Sequence, residues 1–181
     1  MRVNSMHLRQ AIITLLLTVC ITFVVLGQNV VSTNHHIDSL QNLLRSSSDS
    51  SRVDILNEIA YNFYYYNLDS TDDYALKAMA LADSLHYLKG LSEAQRMMGI
   101  SAKAQNNEKE AFRWMYEGLE TARSINYYQG IADNLNSIGV FFSYVEDHER
   151  AISYFKRSIE NQIIAKNKLR EGILYTNIGS V

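Results

Sequence analysis

From residue 53 onwards, stretches with apolar residues at helical spacing alternate with short polar breaks such as Asn106-Asn107. Apolar positions that recur every three to four residues are typical of amphipathic helices. Turn-forming residues in the breaks indicate where one helix ends and the next begins. We therefore predict six helices in three pairs, with the bounds 54–66 and 71–87, 91–105 and 108–126, and 131–145 and 148–166.

A different pattern precedes these helices. Apolar residues at positions 37, 40, 43 and 44 fall on one helical face, which predicts a short amphipathic helix over 37–45. The serine-rich stretch 46–51 is typical of a flexible, solvated linker. We expect the segment 28–52 to consist of this helix and linker, and we expect the helix to cap the first pair.

The paired helices recur with a fixed period of about 40 residues, an interval typical of helical-repeat arrays. Gly99 and Gly139 are one full period apart, and Ala60 precedes Gly99 by one position less than a period. Further columns, or sets of equivalent positions in successive repeats, keep the same spacing. One column holds the small residues Ala78, Gly118 and Ser158, and another holds the aromatic residues Tyr74, Trp114 and Tyr154. Because one helix pair cannot bury its own apolar face, such units stack to form a continuous core. The predicted repeats are 53–90, 91–130 and 131–170, with a partial repeat at 171–181.

Small residues suggest how the helices pack and where they end. Gly139 would permit a close helix crossing, with Ala151 on the facing helix, because only small residues let two helix axes approach closely. Gly90 and Gly130 lie between one helix pair and the next. We predict that they end the preceding helices in the left-handed conformation that glycine favours.

Polar residues predict where the second helix of a pair begins. Asn107 is followed three residues later by Glu110, and Ser70 by Asp73, which is the spacing of an N-cap with a reciprocal acidic residue. The acidic turn 146–149 has the same explanation, because the positive end of a helix dipole attracts carboxylates. We therefore interpret these carboxylates as helix-capping groups and not as catalytic ones.

These repeats resemble the tetratricopeptide repeat (TPR), in its longer 40-residue variety. The third unit carries the family's marker residues at matching positions, Ile138-Gly139, Phe142, Ala151 and Phe155, but it has Ser158 where the family has alanine. In the second unit Ala102 replaces an aromatic residue, and the proline that often closes a repeat is missing. The resemblance covers about residues 53–181. It implies an all-α fold, a right-handed α-solenoid of antiparallel helix pairs, which an N-terminal signal segment would precede.

In this family the first helix of each pair lines a concave surface, so the resemblance implies a binding groove there. Transferred position by position, the groove residues are Asn57, Tyr61, Tyr64, Tyr65, Glu93, Arg96, Ile100, Lys103, Asp133, Asn136, Val140 and Tyr144. Asn57, Arg96, Asn136 and Thr176 share one column. These groups could hold the backbone or a carboxylate of a peptide, or the asparagines could hydrogen-bond to the next helix in the stack. The tyrosine-rich run 61–66 could also expose rings of the kind that interfaces favour.

Composition narrows the possible functions. Apolar residues make up 47% of the 181 residues, enough for a buried core, and the absence of proline suits long helices. The net charge of −2 offers no basic surface for a nucleic acid. A single cysteine permits neither an internal disulfide nor a cysteine-based zinc site. No catalytic or phosphate-binding motif occurs, so we expect no enzymatic activity, no metal and no cofactor.

The N-terminus has the features of an export signal. Arg2 and Arg9 lie before or beside a run of 16 uncharged residues, 11–26. As a helix this run would span about 24 Å, less than the ~30 Å hydrocarbon core of a bilayer. The residues before position 28 suit signal-peptidase cleavage. We predict a signal peptide over 1–27, with a retained membrane anchor as the alternative, and location in the periplasm or at the extracytoplasmic face of the membrane.

Together these features favour a non-catalytic scaffold that is exported across the inner membrane and binds a protein or peptide in its groove. The chain also resembles the N-terminal repeat region of bacterial TPR-containing sensor and signalling proteins. The alternative is therefore an extracytoplasmic sensory input region, whose output would be a histidine kinase or a transcriptional regulator. Residues 171–181 match only the opening of a fourth unit. We expect a fragment of a longer chain, which meets a membrane only through the signal segment or a missing C-terminal part.

Overall fold

The structure, a computed structural model, describes residues 36–166 and 177–179. The chain divides into two compact units, Met1–Asn42 and Leu43–Val181. In the first unit the described residues are helical, and in the second the helical conformation continues to residue 46. The predicted signal peptide and all but three residues of the partial fourth repeat lie outside the described residues. None of the described helices combines the length and apolarity needed to cross a bilayer.

Six helices form the repeats of the second unit. They are α1 (Asp49–Phe63), α2 (Leu68–Ser84), α3 (Leu88–Ala104), α4 (Glu108–Ser124), α5 (Tyr128–Tyr144) and α6 (His148–Ile164). The helices pack in the pairs α1–α2, α3–α4 and α5–α6, and each pair also packs against the next. No strand occurs in the part of the chain that is described. The predicted all-α, TPR-like fold of stacked helix pairs is confirmed.

Helix α1 begins earlier than predicted and includes half of the serine-rich stretch 46–51. Only Ser47 and Ser48 separate α1 from the helical residues before it. The Arg52 guanidinium donates to the Leu44 carbonyl at 2.9 Å, which satisfies an acceptor at the end of the preceding helix. A tight turn therefore replaces the predicted flexible linker. The other five helices begin and end within three residues of their predicted bounds.

From the end of α2 onwards, the turns share one conformation, which recurs at half the repeat period. Positive φ angles between 50° and 60° occur at His86, Asn106, Asn126, Glu146 and Lys166. The residue after each of the first four donates its N–H to the carbonyl five residues earlier, as Tyr127 does to Ala122 at 2.9 Å. Helices α2 to α6 each contain 17 residues, and three linking residues complete the spacing between one and the next.

Gly90 and Gly130 do not end helices, contrary to the prediction. They lie in the first turns of α3 and α5, and no glycine among the described residues has a positive φ. A Cβ on Gly130 would lie 2.3 Å from Cδ1 of Tyr127, and one on Gly90 would lie 2.7 Å from Cδ1 of Tyr87 and 2.5 Å from Cγ1 of Val53. Glycine is required at both positions because the ring of the tyrosine three residues earlier packs over the helix backbone there.

Asparagine and aspartate side chains cap the second helix of each pair. Asn67, Asn107 and Asp147 each accept a hydrogen bond from the backbone N–H three residues later, at 3.0, 3.4 and 3.0 Å. The predicted cap at Asn107 is confirmed. In the first pair the cap is Asn67 and not Ser70, because Ser70 already lies inside α2 and donates its N–H to Asn67.

The small residue in the second half of α3 and of α5 meets the second helix of its own pair. A Cβ on Gly139 would lie 2.6 Å from the Phe155 ring, and one on Gly99 would lie 2.5 Å from Cγ of Met115. Met115 and Phe155 are themselves one repeat period apart. The predicted close crossing at Gly139 is confirmed, but its nearest contact is Phe155 and not Ala151. Ala151 is buried in the same core cluster, and the longer Phe155 side chain, one turn further along α6, reaches Gly139 first.

Candidate functional site

An open groove runs across the first helices of the three pairs. Helix α1 packs against α3, and α3 packs against α5, so their side chains line one continuous surface. The groove has a volume of about 570 Å³. Met115 of α4 and Gln162 of α6 also reach its lining. The first helices therefore form the concave side of the stack, and the second helices support them.

Eleven of the twelve residues that the sequence assigns to the groove line it: Asn57, Tyr61, Tyr64, Tyr65, Glu93, Arg96, Ile100, Lys103, Asp133, Asn136 and Val140. The exception is Tyr144. Its hydroxyl donates to Oδ1 of Asn106 at 2.7 Å, and its ring centroid lies 5.6 Å from Nζ of Lys103. The hydrogen bond to the turn holds Tyr144 beside the groove, where it contacts a lining residue without lining the groove itself.

The two asparagines of the shared column form hydrogen bonds within the stack. Nδ2 of Asn57 donates to the Gly90 carbonyl at the start of α3, at 2.9 Å. Oδ1 of Asn136 accepts from Nδ2 of Asn177 at 2.9 Å. Thr176, which the sequence places in the same column, lies outside the described residues. The asparagines therefore link successive repeats, which is one of the two roles that the sequence leaves open.

Arg96, in the same column, is ordered by an ion pair. Its Nη2 and Nε lie 2.9 and 3.2 Å from Oε2 of Glu93, and its side chain is only 16% exposed. Burial opposes the charge on the guanidinium, but the carboxylates of Glu93 and Asp133 more than offset burial and hold the pKa of Arg96 above its usual value. The groove therefore contains one fixed, ionised guanidinium.

Three tyrosines form an aromatic wall at the C-terminal end of α1. The Tyr61 and Tyr65 rings meet edge to face with centroids 5.9 Å apart, and the Tyr64 and Tyr65 centroids are 5.1 Å apart. The Tyr61 and Tyr65 hydroxyls are hydrogen-bonded at 3.3 Å, and this bond, together with partial burial, raises the pKa of Tyr65 to about 12. Tyr61 and Tyr65 are 47% and 65% exposed, so their rings are available for contact.

Charge is distributed unevenly along the groove. Four lining carboxylates lie within the first ten residues of α1, α3 and α5: Asp54, Glu58, Glu93 and Asp133. The Tyr87 hydroxyl donates to Oδ1 of Asp54 at 3.0 Å, and burial, this bond and the nearby negative charge raise the pKa of Tyr87 to about 12. Lys103 lies near the C-terminal end of α3, where burial lowers its pKa. One end of the groove is therefore acidic, and the other carries a lysine.

Sequence reasoning misses several residues of the lining. Glu58 precedes Tyr61 by three residues and Asp54 precedes Glu58 by four, so the helical period contained a signal for both. Met115 and Gln162 belong to second helices, which the resemblance assigns to the opposite side. Their presence in the groove depends on how deeply the second helices pack beneath the first, which no spacing along the chain reveals.

Outside the groove, the acidic turn 146–149 is the group of titratable side chains that the sequence singles out. Within residues 36–166 and 177–179, no three His, Cys, Asp or Glu side chains lie close enough together to hold a metal ion. In the acidic turn 146–149, Asp147 accepts hydrogen bonds from the backbone N–H and from Nε of Arg150, at 3.0 and 2.6 Å. These bonds hold the pKa of Asp147 below its usual range, as expected for a capping carboxylate.

Several solved structures are similar to this chain. BtubC (BKLC) from P. vanneervenii has a TM-score of 0.64 at 14% identity, over 82% of this chain and 66% of that chain. Aspartyl phosphate phosphatase F from Bacillus subtilis has a TM-score of 0.59 at 18% identity, over 66% of this chain and 32% of that chain. The apo form of RapI has a TM-score of 0.62 at 14% identity, over 81% of this chain and 42% of that chain.

The chain thus spans between about a third and two thirds of the length of these similar structures. All three have TPR-like helical-repeat folds, and identities this low show the fold alone. No protein-family model matches the chain, and no curated protein matches it. Its fold is that of TPR-like helical-repeat proteins.

Proposed function

We propose that this chain is a non-catalytic helical-repeat scaffold that binds a peptide segment of a partner protein. The observation that carries the proposal is the groove across α1, α3 and α5, whose lining combines charged, aromatic and apolar side chains. Sites for peptides combine an apolar surface that receives side chains with polar groups that bind the backbone. The groove offers both kinds of surface.

The dimensions of the groove suit a short extended peptide. Packed helices lie about 8–10 Å apart, so three neighbouring helices give a width of roughly 16–20 Å. An extended chain covers about 3.3 Å per residue, so about five or six residues would cross this width. The groove is open, so the rest of the partner protein can continue beyond it on either side.

The lining offers contacts that peptides use. Met97, Ile100 and Val140 provide apolar surface for side chains of the peptide. Tyr61 and Tyr65 add exposed rings, and aromatic contacts contribute strongly to protein interfaces. Because stacked helices hold these side chains on a stiff framework, less conformational entropy is lost on binding.

Removal of one groove tyrosine tests the proposal. Hexapeptides are selected against the full chain from a display library, and their affinities are measured by fluorescence anisotropy. We expect Tyr61→Ala to weaken binding about tenfold or more, because the ring lines the groove. Tyr116→Ala is the matched control, since Tyr116 is 45% exposed against 47% for Tyr61 but lies on α4 outside the lining. An equal loss in both variants, or the absence of any selected peptide, would overturn the proposal.

We also propose that the chain is exported, on the basis of the 16 uncharged residues 11–26. A fusion of residues 1–27 to a reporter enzyme that is active only outside the cytoplasm should be active, and an inactive fusion would contradict export.

A sensory input region would use the same groove, with the peptide biasing a downstream two-state element. A peptide-dependent change in the output of a protein that carries this chain as its input region would favour that role over a plain scaffold.

A further inference from the structure

We infer that the acidic end of the groove binds a cationic group of the peptide, either a lysine or arginine side chain or an N-terminal ammonium. The acidic end is defined by Asp54, Glu58, Glu93 and Asp133. This inference rests on the proposed function, because it specifies the chemistry of the peptide that the groove would receive. Two independent features, charge and buried acceptor atoms, support it.

The first feature is the balance of charge. Among the residues that line this end, four carboxylates are accompanied by one cation, Arg96. Arg96 is already ion-paired with Glu93, at 2.9 Å. The lining therefore carries more negative than positive charge here, and a half-enclosed negative surface attracts a cation more strongly than the same charges in bulk water would.

Neutral donors contact two of these carboxylates, those of Asp133 and Asp54. Asp133 accepts from Nε2 of Gln129 at 2.9 Å and from Nε2 of Gln162 at 3.3 Å. Asp54 accepts from the Tyr87 hydroxyl at 3.0 Å. These bonds fix the carboxylates in place, so a cation would meet acceptors that are already oriented.

The second feature is a pair of buried acceptors in the same lining. Oδ1 of Asn57 and Oε1 of Gln162 have no hydrogen-bond partner among the described residues. The two residues are only 9% and 1% exposed, and both line the groove. A buried acceptor without a donor is unfavourable, so a donor from a ligand would be stabilised at these atoms. Ammonium and guanidinium groups are donors only, which matches a lining rich in acceptors.

Lys103 gives the groove a direction. It lies ten residues after Glu93 on α3, or about 15 Å along the helix axis. A peptide whose cation lies at the acidic end keeps that charge away from Lys103. The opposite orientation would bring two cations together, which is unfavourable. The charges therefore favour one orientation of the peptide.

Matched peptide pools test whether the groove prefers peptides that carry a cation, and they identify whether the cation is a side chain or the N-terminal ammonium. Hexapeptide pools with one position fixed as Lys or Gln are prepared with a free and with an acetylated N-terminus, and they compete for the full chain. A side-chain cation predicts that the acetylated Lys pool binds about tenfold more tightly than the acetylated Gln pool. An N-terminal ammonium predicts the same advantage for the free Gln pool over the acetylated one. Either advantage should shrink as salt is added.

Variants locate the cation. Glu58→Gln, alone and with Asp133→Asn, should reduce the preference, and the single variant should fold because Glu58 is exposed. Glu120→Gln is the matched control, since Glu120 is an exposed α4 residue, paired with Arg123, outside the groove lining. Circular dichroism verifies that each variant is helical.

The outcomes separate the inference from the proposed function. If charged and neutral pools bind equally, or if the preference is unchanged in both folded acidic-end variants, the inference is wrong, whereas the proposal of peptide binding in the groove stands. If no pool binds, both proposals fail. If the preference is present in the wild-type chain and in Glu120→Gln but reduced in the acidic-end variants, the inference is supported.

Discussion

Gly139 and Phe155 are in direct contact at the crossing of α5 and α6. A Cβ added to Gly139 would lie 2.6 Å from both Cδ1 and Cε1 of the Phe155 ring, closer than carbon atoms normally approach. Phe155 is 1% exposed and belongs to the main core cluster. The missing side chain at Gly139 therefore sets how closely the two helices pack.

Gly139→Ala should destabilise the fold. Inside a helix this change would by propensity alone stabilise by about 1 kcal/mol, because alanine favours helix over glycine. The clash with Phe155 should outweigh that gain, since overpacking of a core costs about 1–3 kcal/mol. We expect a net loss in the free energy of unfolding, measured by urea denaturation. A more stable variant would mean that the core accommodates the methyl group.

A second substitution distinguishes a side-chain clash from a backbone clash. Phe155→Leu should make the double variant with Gly139→Ala less destabilised than the sum of the two single changes. Met115→Ala should not reduce the destabilisation that Gly99→Ala causes in the same way. There the added Cβ would also lie 2.9 Å from the backbone nitrogen of Met115 and 3.0 Å from the Ala111 carbonyl oxygen, which cannot move aside.

Glu146→Gly should stabilise the turn before α6. Glu146 has a φ of 59°, a left-handed conformation that costs most residues about 1–2 kcal/mol but not glycine. Glycine also has more backbone entropy in the unfolded chain, which offsets part of this benefit. We therefore expect the free energy of unfolding to rise by about 0.5–1 kcal/mol, measured by thermal or urea denaturation. Asn126→Gly, at the equivalent φ of 53°, is the control and should gain less, because asparagine tolerates this conformation. Equal effects at both turns would contradict the explanation.

Stability should fall at high pH because of Tyr87. In the folded chain, burial and the hydrogen bond to Asp54 raise the pKa of Tyr87 from 10.0 to about 12. The folded chain keeps the proton at pH values where the unfolded chain releases it. The contribution of Tyr87 is therefore complete below about pH 10 and lost between about pH 10 and pH 12. Urea denaturation across this range should show a shallower decline for Tyr87→Phe, and identical slopes would refute the prediction.

Asn57→Ala should lower the stability of the fold. Nδ2 of Asn57 links α1 to the Gly90 carbonyl across the repeat boundary at 2.9 Å. Loss of a buried hydrogen bond of this kind costs about 1–2 kcal/mol. Asn62→Ala is the control on the same helix, because the side chain of the half-buried Asn62 donates to the Glu58 carbonyl one turn earlier and not across a repeat boundary. If both variants unfold at the same urea concentration, Asn57 does not hold the repeats together.

The sequence predicts the helices and their pairing because both depend on regular spacing. Gly99 and Gly139 recur at the interval that stacking requires, and local capping chemistry identifies Asn107 correctly. The turns are harder to predict because a glycine can mark either a left-handed turn or a place where a neighbouring side chain needs space. Gly90 and Gly130 are needed for the space beneath the Tyr87 and Tyr127 rings, whereas residues other than glycine adopt the left-handed conformation four residues earlier.

The groove is predictable only in part for a similar reason. The lining residues of the first helices follow from the repeat, since equivalent positions of α1, α3 and α5 point to the same side of the stack. The hydrogen bond from Asn57 to Gly90 joins residues 33 positions apart, and Gln162 enters the lining from a second helix. Such contacts depend on the distances between packed helices, and the order of residues along the chain does not contain those distances.

The uniform spacing of the turns, at half the repeat period, limits how this array can grow or shrink. Insertion or deletion of one whole period would keep each later helix on its own side, with its side chains still in phase. A change of half a period would preserve every turn yet exchange inner and outer helices from that point onward. Genetic duplication can therefore extend the array by whole hairpins. Insertion of an odd number of helices would instead place second helices on the groove side in every later repeat.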